Sequence, residues 1–125
     1  MSRSSKKTQQ DKYFIQVKFT MLKSKAWERL NNNSKVLYLY FMQRELVNSW
    51  SGKNEKNKDT WRPDISLSYR EMEKHLNPHQ FSRAIKELEK MGFIKKKQEG
   101  GLYRRRNWYS LSNDWRRIDS SIDMA

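Results

Sequence analysis

Apolar residues along this 125-residue chain change their spacing several times, and each change marks an element. Tyr13, Ile15, Val17 and Phe19 alternate with Phe14, Gln16 and Lys18, the period-two pattern of a short extended stretch. Met21 to Leu30 fits a short helix capped by Ser24, with Leu22, Ala26, Trp27 and Leu30 buried. Asn31-Asn32-Asn33-Ser34 is a stop followed by a cap, since such side chains hydrogen-bond the free N–H groups of a helix start. The unbroken apolar run Val36 to Met42 has strand character by itself. Its length together with Gln43 to Val47 exceeds a typical strand, so the pattern predicts a helix over Ser34 to Val47. Apolar groups on nearly every side of that helix imply a central position or a face used for self-association. Ile65-Ser66-Leu67 reads as a minimal strand.

From Ser68 the spacing becomes more telling. Ser68-Tyr69-Arg70-Glu71 has the form of a capping box, in which Ser68 bonds the backbone of Glu71 and Glu71 reaches back. Tyr69, Met72 and Leu76 share one face of the helix that starts there. Asn77-Pro78 ends it, and Pro78 suits the first turn of the next helix. That helix runs over Pro78 to Met91 with Phe81, Ala84, Ile85, Leu88 and Met91 as its apolar stripe, and Gly92 stops it. The opposite face presents His79, Gln80, Ser82, Arg83 and Lys86, together with Lys90. Two helices joined by a tight turn, the second apolar behind and basic in front, have the layout of a helix-turn-helix whose second helix enters the major groove. Arg suits guanine there, Gln suits adenine, and Ser or His serves either.

Phe93 to Gln98 and Leu102 to Leu111 read as two strands around the turn Glu99-Gly100-Gly101. This hairpin carries Lys95, Lys96, Lys97, Arg104, Arg105 and Arg106, a density that a phosphate-gripping wing needs and a structural hairpin does not. The expected fold class is therefore α+β, mainly helical: a winged helix-turn-helix with a three-helix core plus a β-hairpin wing. Residues 1–12 read as a disordered basic arm, 13–117 as the winged-helix domain with a loop insertion at 48–64, and 118–125 as a flexible tail.

Charge sharpens this picture. The chain carries 27 Lys and Arg against 14 Asp and Glu, a net +13 that calls for a polyanion. Residues 1–25 hold seven bases and one acid, and residues 92–117 hold eight and two, so two basic regions flank a nearly balanced middle. With no cysteine, disulfides, thiolate nucleophiles and Cys-based zinc sites are excluded. Glu71, His75 and His79 fall at intervals of four, but the break at Asn77-Pro78 disrupts the register, and no metal or cofactor is expected. Nothing resembles a P-loop or a His-x-His nicking site, and the carboxylates lie mostly beside Lys or Arg in helices, so no enzyme activity is expected. The polar start and the lack of an 18-residue apolar run lead us to expect a cytoplasmic protein without membrane contact. Trp27, Tyr40, Phe41 and Trp115 read as core, whereas Trp108 beside Arg104 to Arg106 has the makings of a stacking platform for unpaired bases.

The segments Ser34-Lys35-Val36-Leu37-Tyr38-Leu39-Tyr40, Leu67 to Met72, Phe81 to Ile94 and Asn107 to Arg116 together resemble the small winged-helix proteins of bacterial plasmids, phages and conjugative elements, including replication-initiation and replisome-organiser modules. The resemblance spans about two thirds of the chain. It implies a double-stranded DNA-binding protein, either a transcription regulator or an origin and DNA replication initiation factor of a mobile genetic element. A different class of function stays open beside it: a protein-interaction winged helix in a replication or conjugation assembly, motivated by the apolar helix from Val36 and the insertion bearing Trp50 and Trp61. Homodimerisation is a further partner state that the residues leave open.

Overall fold

The computed structural model describes residues 13–49, 65–98 and 107–124. The expected basic arm over 1–12, most of the 48–64 insertion, the glycine turn at 99–101 and the cluster Arg104 to Arg106 lie outside the described residues.

In chain order the elements are α1 (Phe19–Leu22), α2 (Lys25–Glu28), α3 (Asn32–Ser49), α4 (Tyr69–Met72), α5 (Pro78–Lys90), β1 (Ile94–Gln98), β2 (Trp108–Leu111) and α6 (Trp115–Met124). The result is a mainly helical α+β fold with one two-stranded antiparallel sheet. Ser24 explains why Met21 to Leu30 is two turns and not one helix. Its hydroxyl donates to the Met21 carbonyl (2.6 Å), closing α1, and accepts from the Trp27 N–H (3.1 Å), opening α2. The split also inverts one assignment: Met21 is buried and Leu22 is exposed.

The helix α3 extends two residues beyond the expected range at each end. Its cap is Asn31, whose Oδ1 accepts from the Asn33 N–H at 2.9 Å, so Ser34 lies inside the helix and is 1% exposed. Leu37, Tyr38 and Phe41 form its buried face. The capping box at Ser68 and Glu71 is present, and Glu71 also accepts from Arg44 of α3 at 2.8 Å, tying the short α4 to the central helix.

One aromatic assembly anchors the core. Phe93, fully buried, lies 5.4 Å from Tyr38, 5.7 Å from Trp27 and 5.9 Å from Trp115 between ring centroids, stacked on the last and edge-on to the others. Tyr109 meets Phe41 edge-on at 5.7 Å. Of the four aromatics expected in the core, Trp27, Phe41 and Trp115 are buried, whereas Tyr40 is half-buried against His75. Ile65 and Tyr109 exchange two backbone hydrogen bonds (2.7 and 2.8 Å), so the minimal strand expected at 65–67 is a single bridge onto β2.

Where a flexible tail is expected over 118–125, residues 118–124 are helical and continue α6. Asp119 Oδ1 accepts the Ala26 N–H at 2.9 Å and Ile122 packs against the core, so the last turns are held against α2. These contacts join residues far apart in sequence, which is why spacing alone did not disclose them.

Candidate nucleic-acid interface

The turn between α4 and α5 is built by local rules. Asn77 caps α5 by accepting from the Gln80 N–H (2.8 Å), while Gln80 Oε1 accepts from the Asn77 N–H (2.9 Å), and Pro78 occupies the first turn. At the other end the Phe93 N–H donates to the Leu88 carbonyl (2.9 Å) and the Gly92 N–H to the Glu89 carbonyl (3.2 Å). This is the Schellman pattern, with Gly92 at φ +80° and its hydrophobic partners Leu88 and Phe93 both fully buried. Both ends of α5 are therefore set by side chains and backbone within a few residues.

Between those ends the helix is divided cleanly. Ala84, Ile85 and Leu88 are buried. His79, Ser82, Arg83, Lys86 and Lys90 are all exposed. Stepping about 100° per residue, these five occupy an arc of about 100° opposite the buried stripe. No acidic side chain interrupts the arc, and among the described residues no ion pair engages Arg83 or Lys86. Their charges are presented to solvent.

The ribbon β1–β2 lies along one edge of α5. Its base is anchored by the buried Tyr109, packed edge-on against Phe41. Burial is the larger cause and Glu89 the second, and together they raise the Tyr109 pKa above the ordinary phenol value against an opposing hydrogen bond from Asn107. The pairs Ile94 with Leu111 and Lys96 with Tyr109 share the face turned to the core, and Lys95 with Ser110 the other. A register shift between Lys96 and Gln98 leaves Lys97 at an irregularity of the ladder. Thus the run Lys95 to Lys97 is not uniform: Lys95 and Lys97 are exposed, whereas Lys96 is half-buried beside Tyr109. Trp108 is half-buried.

The opposite edge of α5 faces the start of α3. A small cleft of about 100 Å³ opens there, lined by Asn31, Asn33, Ser34, His79, Arg83 and Glu87 among others. Glu87 is engaged: its Oε1 accepts from the Ser34 hydroxyl (2.6 Å) and the Asn31 N–H (2.8 Å).

Set against the sequence expectations, the structure places His79, Ser82, Arg83, Lys86 and Lys90 on one exposed face. Gln80 stands apart, because its side-chain carbonyl is committed to the cap. Arg104, Arg105 and Arg106 lie outside the described residues. Of the residues considered for a metal face, Glu71 is bound to Ser68 and Arg44, and His75 Nε2 lies 3.1 Å from the Tyr40 hydroxyl. The Ser34–Glu87 contact escaped the sequence reading, since a serine one turn into a helix carries no signal of a partner 53 residues away.

On the far side of α3 from α5, a groove of about 710 Å³ is lined by Tyr13, Phe14, Leu39, Tyr40, Leu46 and Val47 among others. Tyr13 and Phe14 are 59% and 66% exposed, enough for this side of the molecule to display apolar surface. No helix among the described residues is long and apolar enough to cross a membrane.

The sequence matches no family model and no curated protein. Its fold is similar to that of a solved structure described as "Structure of Rep-DNA complex", with a TM-score of 0.54, 17% sequence identity and 94% of each chain covered. The chain therefore shares the fold of a protein captured with DNA, over nearly its whole length.

Proposed function

We propose that this chain is a winged helix-turn-helix protein that binds double-stranded DNA, with α5 as the helix that reads the major groove and β1–β2 as a wing that grips phosphates. The observation that carries the reading is the uninterrupted exposed row His79, Ser82, Arg83, Lys86 and Lys90, flanked by the exposed Lys95 and Lys97 of the ribbon. Arg83 and His79 sit in the first half of α5, where side chains of a groove-entering helix reach base edges. Lys86, Lys90, Lys95 and Lys97 suit phosphate oxygens, which position a duplex without reading it. The solved Rep–DNA neighbour supports DNA as the partner. Within this reading the protein acts by binding, as an origin-recognition or replication-initiation factor of a mobile genetic element, with transcription regulation as the related role.

Selection of preferred sites from random duplex DNA, followed by titration, tests this. Arg83→Ala should lose about 1 to 3 kcal/mol on the preferred site and relax the choice of base at one position. Replacing Lys95 and Lys97 with Ala should weaken all duplexes alike and reduce the salt slope by about two. If Arg83→Ala changes neither affinity nor selectivity, α5 is not the reader.

A second reading is favoured by the apolar groove, whose exposed Tyr13 and Phe14 suit a protein partner better than a phosphate backbone. In that reading the domain is an assembly module of a replication or conjugation complex. A stable protein complex lost in Phe14→Ser, combined with no duplex binding at near-physiological salt, would establish it in place of the first.

A further inference from the structure

We infer that Glu87 is a positioning residue for the reading helix: its carboxylate fixes the roll of α5 about its own axis and thereby decides where Arg83 points. This rests on α5 being the DNA-reading element proposed above.

Glu87 is half-buried on the flank of the basic helix α5. Glu87 faces the start of α3, and one oxygen, Oε1, takes both available donors, the Ser34 hydroxyl at 2.6 Å and the Asn31 N–H at 2.8 Å. Both donors are themselves fixed. Ser34 is 1% exposed inside α3, and Asn31 caps the same helix through the Asn33 N–H. The carboxylate also lies at the N-terminal end of an 18-residue helix, where the backbone dipole favours negative charge. A charge-assisted, two-donor contact of this kind is stronger than a neutral hydrogen bond and has a defined direction.

The other edge of α5 packs against β1 of the ribbon. The buried stripe of Ala84, Ile85 and Leu88 supplies most of the adhesion, but apolar packing has no direction and tolerates small rolls. The Glu87 contact supplies direction. A roll of about 20° moves a side-chain tip about 6 Å from the helix axis by about 2 Å, enough to break a bidentate contact with a base. Glu87 and Arg83 are one turn apart on the same helix, so any roll that Glu87 prevents is a displacement that Arg83 would otherwise undergo.

The test uses the full chain, a preferred duplex from random-sequence selection and a scrambled duplex of equal length, well below the unfolding temperature. Glu87→Ala removes the acceptor and should lower the ratio of specific to non-specific affinity about tenfold. Glu87→Gln keeps an acceptor oxygen at the same place and should hold the ratio within about twofold of the parent protein. A purely structural role would lower the melting temperature of both variants in proportion and leave the ratio alone. Amide exchange, measured without DNA, gives a second readout: the Asn31 N–H should lose protection in Glu87→Ala and keep it in Glu87→Gln. An unchanged affinity ratio in folded Glu87→Ala, or an Asn31 amide equally protected in it, overturns the inference. A parent protein with no preference among duplexes overturns instead the reading-helix assignment beneath it, and the exchange readout tells the two failures apart.

Discussion

Replacing Gly92 with alanine tests the joint on which the geometry of α5 and β1 depends. Gly92 adopts φ +80°, and an added Cβ would lie 2.6 Å from the Trp115 nitrogen, 2.7 Å from the Asp114 carbonyl carbon and 3.0 Å from the Asp114 Cβ. The left-handed conformation costs an L-residue about 1 kcal/mol or more. The contacts cost more, because two of the three are with backbone, and overpacking of this kind typically costs about 1 to 3 kcal/mol. Relief requires moving the first turn of α6 away, which strains the hydrogen bond from the Trp115 N–H to the Gly92 carbonyl, 3.0 Å long. A bond of that kind contributes about 1 kcal/mol. The sum, about 3 to 5 kcal/mol, is a large part of the stability of a small domain. With a urea slope of about 2 kcal/mol per M, the denaturation midpoint should fall by about 2 M. Gly92→Asn separates the two causes. Asparagine tolerates positive φ but carries the same Cβ, so it should behave like alanine and not like the parent chain. A loss below about 1 kcal/mol in Gly92→Ala, or full stability in Gly92→Asn, would refute the close approach of α6 to this turn.

Two other measurements probe different contacts. Because burial and Glu89 raise the Tyr109 pKa, the neutral phenol is favoured in the folded state. Its contribution is complete below the ordinary value near pH 10 and is lost as pH rises through the folded value. The urea midpoint should thus fall more steeply as pH rises above about 10 in the parent than in Tyr109→Phe, and parallel curves would remove Tyr109 as the cause. Asp119→Ala should destabilise by about 1 kcal/mol by leaving the Ala26 N–H without its acceptor, and amide exchange at Ala26 should accelerate. A protected Ala26 amide in that variant would mean that α6 is held to α2 by packing alone.

The parts of the fold that were legible in sequence are those closed by interactions across three or four residues. Ser68 with Glu71, Asn77 with Gln80, Pro78 in the first turn and Gly92 at the stop define α4 and α5 by local rules, and the stripe Ala84, Ile85 and Leu88 shows which side is buried. Once that side is known, the exposure of His79, Ser82, Arg83 and Lys86 follows from helix periodicity alone. The sequence is least explicit where two local rules compete. Gln80 fits both the pattern of a base reader and that of a capping residue, and in the structure its side-chain carbonyl accepts from the Asn77 N–H. Ser24 served as a cap but also as a stop, which split one expected helix into two turns.

By itself, then, the order of residues determined the helix boundaries around the exposed basic face of α5, its buried stripe and the concentration of positive charge that makes a polyanion the natural partner. Tertiary structure alone decided the orientation of that face. Glu87 meets Ser34 across 53 residues, Asp119 meets Ala26 across 93, and Lys96 turns inward because its strand partner Tyr109 belongs to the core. Hydrogen bonds within a turn are encoded by spacing, whereas a contact between distant segments exists only after packing has brought them together, and no local pattern records it.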